Sequence, residues 1–327
     1  FLRTCSWIGL TEAFSRDGDV AMMMRTSAWI PIGALFIGST VVTMASDPST
    51  VADPAGVYAG LALDGVPADP ELFKTSDRCL ACHKGVSTSE GEDVSIGYAW
   101  RASMMANSAR DPYWQAAVRR EVMDHPDAAP EIEAKCSRCH MPMANVSATV
   151  EGNTPSLFEH LSADAGSYGA LALDGVSCAA CHQITPDGLG TEASFTGGFE
   201  VDPNTPESGR AVYGPFEPDS AGTGIMHSAT DFRPTQGEHM QSSELCASCH
   251  TLFTHTLRPD GSEGGEFPEQ VPYLEWAASA FAAEGTTCQD CHMPEVDEEV
   301  PVTMVLGRAR PNVSRHVFRG GNFFMLR

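Results

Sequence analysis

Cys178-Ala-Ala-Cys181-His182 is one of five stretches of the same form, with Cys79-Leu-Ala-Cys82-His83, Cys136-Ser-Arg-Cys139-His140, Cys246-Ala-Ser-Cys249-His250 and Cys288-Gln-Asp-Cys291-His292. They take up ten of the eleven cysteines. Histidine makes up only 11 of 327 residues. One after every pair would arise by chance with a probability on the order of one in ten million. The spacing is the attachment signature of c-type haem: two thiols add to the vinyl groups of one porphyrin, and the following imidazole turns onto the iron. The expected cofactors are therefore five covalent haems, with His83, His140, His182, His250 and His292 as proximal ligands. A zinc knuckle needs paired Cys-x-x-Cys units but no His after each one. Disulfides and redox dithiols do not require that His either, and no strand-then-helix unit surrounds the pairs. Cys5 lies upstream of the first start signal and is given no role.

The rest of the composition agrees with a folded, exported protein. Hydrophobic residues are 42% and charged residues 19%, ordinary globular usage that excludes wholesale disorder. Twenty Lys and Arg against 43 Asp and Glu give a formal charge of −23. A surface of that sign repels phosphate, so no nucleic-acid partner is expected, and basic-surfaced redox proteins are the expected partners.

Met22-Met-Met-Arg25 opens a positive segment, and Ala28 to Val42 form an apolar run interrupted by Pro31 and Gly33. Small residues at Thr43-Met-Ala45 follow, so residues 22–45 read as a secretory signal peptide, too short to span a membrane. Residues 1–21 read as untranslated upstream residues and 46–327 as the pentahaem cytochrome domain. The last residues, Gly320 to Arg327, end in an apolar run without a helix stop signal, the mark of a chain truncated at its carboxyl end.

Tyr58-Ala-Gly-Leu-Ala-Leu-Asp-Gly-Val66 recurs as Tyr168-Gly-Ala-Leu-Ala-Leu-Asp-Gly-Val176, and the same offset carries Cys136 onto Cys246 and Cys178 onto Cys288. The shared register predicts a two-haem module used twice, over about 58–167 and from 168 through 277 onward. Local patterning is mainly helix and loop. Helices are expected at Tyr113–Met123, capped by Asp111-Pro112 and ended by His125, and at Tyr273–Ala283. Residues 185–224, rich in Gly, Pro, Thr and Ser, read as a long surface loop.

Each iron has a second axial position. Outside the motifs stand His125, His160, His227, His239, His255 and His316. His316, His125, His239 and His255 lead as distal candidates. His160 and His227 are weaker, both set in segments that read as loops, and of the two His160 is kept as a candidate. Met105, in Trp100-Arg-Ala-Ser-Met-Met105, offers a thioether that would raise its haem's potential.

With Gly175-Val-Ser-Cys178, Cys139-His-Met-Pro142 and Cys291-His-Met-Pro294 beside the five motifs, the chain resembles the multihaem cytochrome c superfamily. That group includes tetrahaem electron carriers of ammonia oxidisers and hydroxylamine oxidoreductase. The resemblance covers about residue 70 to the end. It implies a mainly α-helical, loop-rich multihaem cytochrome c fold with closely stacked haems, working as an electron carrier in the periplasm or outside the cell. Trp100 to Met105 looks like a family segment, Trp-x-x-Ser-x-His, whose His is a distal ligand; Met105 stands in its place here. Relatives that are enzymes carry eight haems or replace one motif His by Lys, whereas all five motifs here keep His, so a carrier is expected more than a catalyst. Two alternatives follow from the same residues. One is a haem oxidoreductase acting on a small nitrogen or sulfur compound at one open iron. The other is a structural subunit of a membrane-associated complex or a cytochrome filament.

Overall fold

In the computed structural model, residues 72–320 are described except 163–164, 206–208 and 259–261. The expectations for the upstream residues, the signal peptide, the first copy of the repeated string and the last seven residues lie outside the described residues. Those residues belong to one compact unit, Gly65–Arg327.

Among the described residues short helices joined by loops predominate, with three two-stranded sheets. Asp111 opens the helix Pro112–Asp124 by accepting the Tyr113 N–H at 2.9 Å, proline takes the first turn, and His125 closes it, as the sequence predicts. The helix Ala129–His140 carries the second motif on its last two turns and packs against Pro112–Asp124. Behind it runs Pro142–Val150, with every residue from Pro142 to Ala148 buried. A helix that is buried on all sides forms the centre of the main core, where Met141, Met143, Leu157 and Leu171 are fully enclosed. Val86, Val94, Val296, Val300 and Val313 form a second, smaller core that joins the first-motif region to the carboxyl-terminal segment.

The segment expected as a surface loop, 185–224, is structured instead. It holds the buried Phe199 and Arg210, the strand β1 (Ala211–Gly214) and the start of the helix Ser220–Thr230. That helix is the crossover that lets β1 pair in parallel with β2 (Arg233–Gln236). Its entrance is capped by Asp219, whose carboxylate accepts the Gly222 N–H at 2.7 Å. Periodicity was the wrong guide here, because the ordering comes from contacts distant in sequence. Thr196 and Gly197 donate their N–H groups to the carbonyls of Thr251 and Ser248, beside the fourth motif.

The helix expected over Tyr273–Ala283 is broken into Pro272–Ala277 and Ala280–Ala283. Ser279 interrupts it by turning its hydroxyl back to the Trp276 carbonyl at 2.6 Å, the local competition with helix that serine favours. β3 (Leu252–Leu257) and β4 (Glu263–Gln270) form an antiparallel hairpin after the fourth motif, and β5 (Val300–Pro301) pairs with β6 (Ala309–Arg310). Among the described residues no helix is long and apolar enough to cross a membrane.

Candidate functional site

The second, third and fifth motifs lie on helices, at the end of Ala129–His140 and on Cys178–His182 and Cys288–His292, while the first and fourth begin in the last turn of Ser76–Leu80 and Ser243–Ala247 and run past their ends. One helical turn puts cysteines three residues apart on a common face, with the histidine beside them. No disulfide joins any of the ten motif thiols, and all are half-buried, unusual for a residue type that is normally enclosed.

Four of the five motif histidines are tied through Nδ1 to a backbone carbonyl. His83 bonds Val302 at 2.8 Å and His140 bonds Ser108 at 3.3 Å. His182 bonds Tyr213 on β1, and His292 bonds Arg319. A carbonyl only accepts, so Nδ1 is the donor and Nε2 keeps its lone pair. Burial holds the imidazoles of His83, His140, His182 and His250 below the ordinary histidine range, so they are neutral at pH 7. A neutral ring with a tethered Nδ1 and a free Nε2 is the form of histidine that ligates metal. His250 makes no such carbonyl bond with a described residue. Trp114 lies flat on His140, ring centroids 4.1 Å apart, and fixes that ring by stacking.

Motifs far apart in sequence meet. The thiols of Cys79 and Cys178 are hydrogen-bonded, as are those of Cys139 and Cys249 and those of Cys246 and Cys288. Thiol acidities follow these contacts between motifs. Burial, reinforced by Glu269, Cys139 and Glu121 at Cys136 and by Cys178 at Cys181, pushes Cys136 and Cys181 up to about 12. Only Cys139 and Cys288 move down, the latter to about 6, each through the hydrogen bond to another motif's thiol.

The donor set fits haem. Among the described residues no three His, Cys, Asp or Glu side chains converge as a metal-ion cage. Haem iron does not need one, because the porphyrin supplies the equatorial ligands and the protein only the axial ones. His316 provides a second fit. Its ring faces that of His182 with centroids 6.3 Å apart and planes within 13°. Two imidazoles across one metal, each with a bond of about 2.0 Å and a ring centre about 1.1 Å behind its nitrogen, stand about 6.2 Å apart. His316 Nδ1 bonds the Ser314 carbonyl at 3.1 Å, and burial lowers its pKa to about 4.

The other distal candidates separate clearly. His160 is 6% exposed and packs on Tyr168, with its Nε2 3.4 Å from the Ser156 N–H at the head of its own helix, a structural role within the main core. His239 Nε2 bonds the Ile184 carbonyl at 3.0 Å, and its ring meets the edge of Tyr213, which places it beside the third motif. His255 is exposed on β3 opposite Glu266, and His125 is half-buried at its helix end. Met105 follows Ser103, the cap of helix Met104–Asn107, and its carbonyl receives the Val176 N–H at 2.9 Å, just ahead of the third motif. His227, rated weaker by the sequence, is on the 11-residue helix Ser220–Thr230 that packs on the first-motif helix. Its Nδ1 is buried without a hydrogen-bond partner among the described residues. The sequence clue was Asp219 as a cap for that helix.

No family model, curated protein or solved structure matches the chain.

Proposed function

We propose that the chain is a periplasmic or extracellular c-type cytochrome that holds five haems and relays electrons between protein partners. The observation that carries this reading is the convergence of the motifs, since attachment thiols separated by up to 110 residues in sequence touch one another. Bound there, haem supplies a one-electron ferric–ferrous couple at each site.

The chain's own groups do the rest. The cysteines fix each group covalently, and the carbonyls of Val302, Ser108, Tyr213 and Arg319 aim the proximal imidazoles. His316, whose ring lies close and near-parallel to that of His182, would be the second residue to hold the third group, and His227 would be the candidate second residue for the first. Residues 284–299, around the fifth motif, carry six Asp and Glu and no Lys or Arg. That flank suits docking of a basic-surfaced redox protein.

Coulometric titration of the exported protein, read with electron paramagnetic resonance, tests the proposal. The expected result is uptake of five electrons per chain, with low-spin ferric signals accounting for the haems. A high-spin ferric signal worth one haem per chain, altered by a small nitrogen or sulfur compound, would overturn the carrier reading in favour of catalysis at an open iron.

A further inference from the structure

Touching thiols and shared backbone clamps define which sites are neighbours, and that order is not the order of the sequence. The first site meets the third: besides the Cys79–Cys178 contact, the Ser76 N–H and hydroxyl both donate to the Asp174 carboxylate, at 2.7 and 2.6 Å. The second meets the fourth through Cys139 and Cys249 and through Gly197. Gly197 accepts from Arg138 Nε at 2.6 Å in one motif and donates to the Ser248 carbonyl at 2.6 Å in the other. The fifth also meets the fourth: the Cys288 N–H donates to the Ser243 hydroxyl at 2.9 Å, and Gln289 Nε2 donates to the Ser242 carbonyl at 2.7 Å. Cys249 of the fourth motif packs on the core cluster that includes Ala179 and Ala180 of the third, and Cys181 acts electrostatically on both cysteines of the fourth. The contacts of Ser76 and Cys79 run to the third motif.

We infer that the fourth site, at Cys246-Ala-Ser-Cys249-His250, is the branch point of a forked relay. The first, second and fifth sites are its tips, and the third links the first to the branch. The inference rests on the proposed electron-carrier function and adds its wiring. An electron given by a reduced donor protein at one tip is passed one site at a time. With haem bound, each transfer would oxidise one site and reduce its neighbour, until an oxidised acceptor protein took the electron at another tip. Every route between tips crosses the fourth site.

The test is to delete sites one at a time in the exported holoprotein and follow each remaining haem's midpoint potential through its paramagnetically shifted NMR methyl signals. Neighbouring charges act on each other most strongly at close range. Deleting the fourth site (Cys246→Ser with Cys249→Ser) should therefore shift three potentials and leave the first site's unchanged. Deleting the first site (Cys79→Ser with Cys82→Ser) should shift only one. Should the fourth-site deletion fail to fold, His250→Met keeps the attachment and changes only the ligand, and the same three neighbours should respond. A shift at the first site, or fewer than three shifts elsewhere, overturns the fork. Failure of the underlying function would show differently, as missing haem in the unmodified protein.

Discussion

The first–third pair and the fourth–fifth pair are built from the same local parts and set in different surroundings. Thr75-Ser76-Asp77-Arg78-Cys79 matches Ser242-Ser243-Glu244-Leu245-Cys246, and Gly175-Val-Ser-Cys178 matches Gly285-Thr-Thr-Cys288. In each pair a serine three residues before the first cysteine is buried, 2% and 1% exposed, and its hydroxyl reaches the partner motif. In each, the partner motif is entered through a glycine with positive φ, 64° and 74°. The surroundings then diverge. The first–third pair is wrapped by the carboxyl-terminal segment, which supplies Val302 to His83 and His316 to His182. Thr303 and Met304 also donate to the Cys82 carbonyl at 3.0 Å each. In the fourth–fifth pair His292 is exposed and its flank is acidic. One local design thus serves an insulated pair and a pair whose fifth site faces solvent. Solvent access and ligand type are the terms that set a haem's potential.

The two glycines break this symmetry most sharply. A Cβ at Gly175 would stand 2.8 Å from the Met105 carbonyl oxygen and 3.0 Å from the Ala106 oxygen, whereas Gly285 has open space. Gly175→Ala should cost about 3 kcal/mol, strain plus collision, and Gly285→Ala about 1 kcal/mol from left-handed backbone alone. Chemical denaturation of the two variants checks the difference, and equal losses would show the two lead-ins to be packed alike.

The serines should differ less. Ser76→Ala removes a hydrogen bond to a carboxylate, for about 2 kcal/mol, and Ser243→Ala leaves the Cys288 N–H without its acceptor, for about 1 kcal/mol. The same denaturation series orders them.

His316→Ala acts on ligation more than on folding. It should convert one low-spin haem to high-spin in the insulated pair and leave the fourth–fifth pair's signals untouched. No spectral change would remove His316 from the ligand set.

The smallest effect is expected at the exposed flank. Asp297→Lys with Glu299→Lys should slow reduction by a cationic ruthenium ammine complex about two- to five-fold at low salt and hardly at all at high salt. Stopped-flow rates at two ionic strengths measure it, and a salt-independent change would sink the docking role of that flank.

The sequence showed what is local. The five motifs, the Asp111-Pro112 cap and the His125 helix end are legible because side-chain identity at fixed spacing carries them. Tyr213, Val302 and Arg319 were invisible because they act through backbone carbonyls, which any residue supplies. The pairing of motifs was hidden as well. The offset of 110 residues relates the second motif to the fourth, yet the fourth resembles the first in its Ser-x-x-Cys lead and in its use of the buried serine. Residues 185–224 misled for a related reason, since Arg138 and Ser248 order that segment from other parts of the chain.

Intact mass of the exported protein, with alkylation of its thiols, tests the central claim most directly. The account predicts a mass increased by five haems and none of the ten motif thiols open to alkylation. A haem-free mass with Cys79–Cys178, Cys139–Cys249 and Cys246–Cys288 joined as disulfides would contradict it.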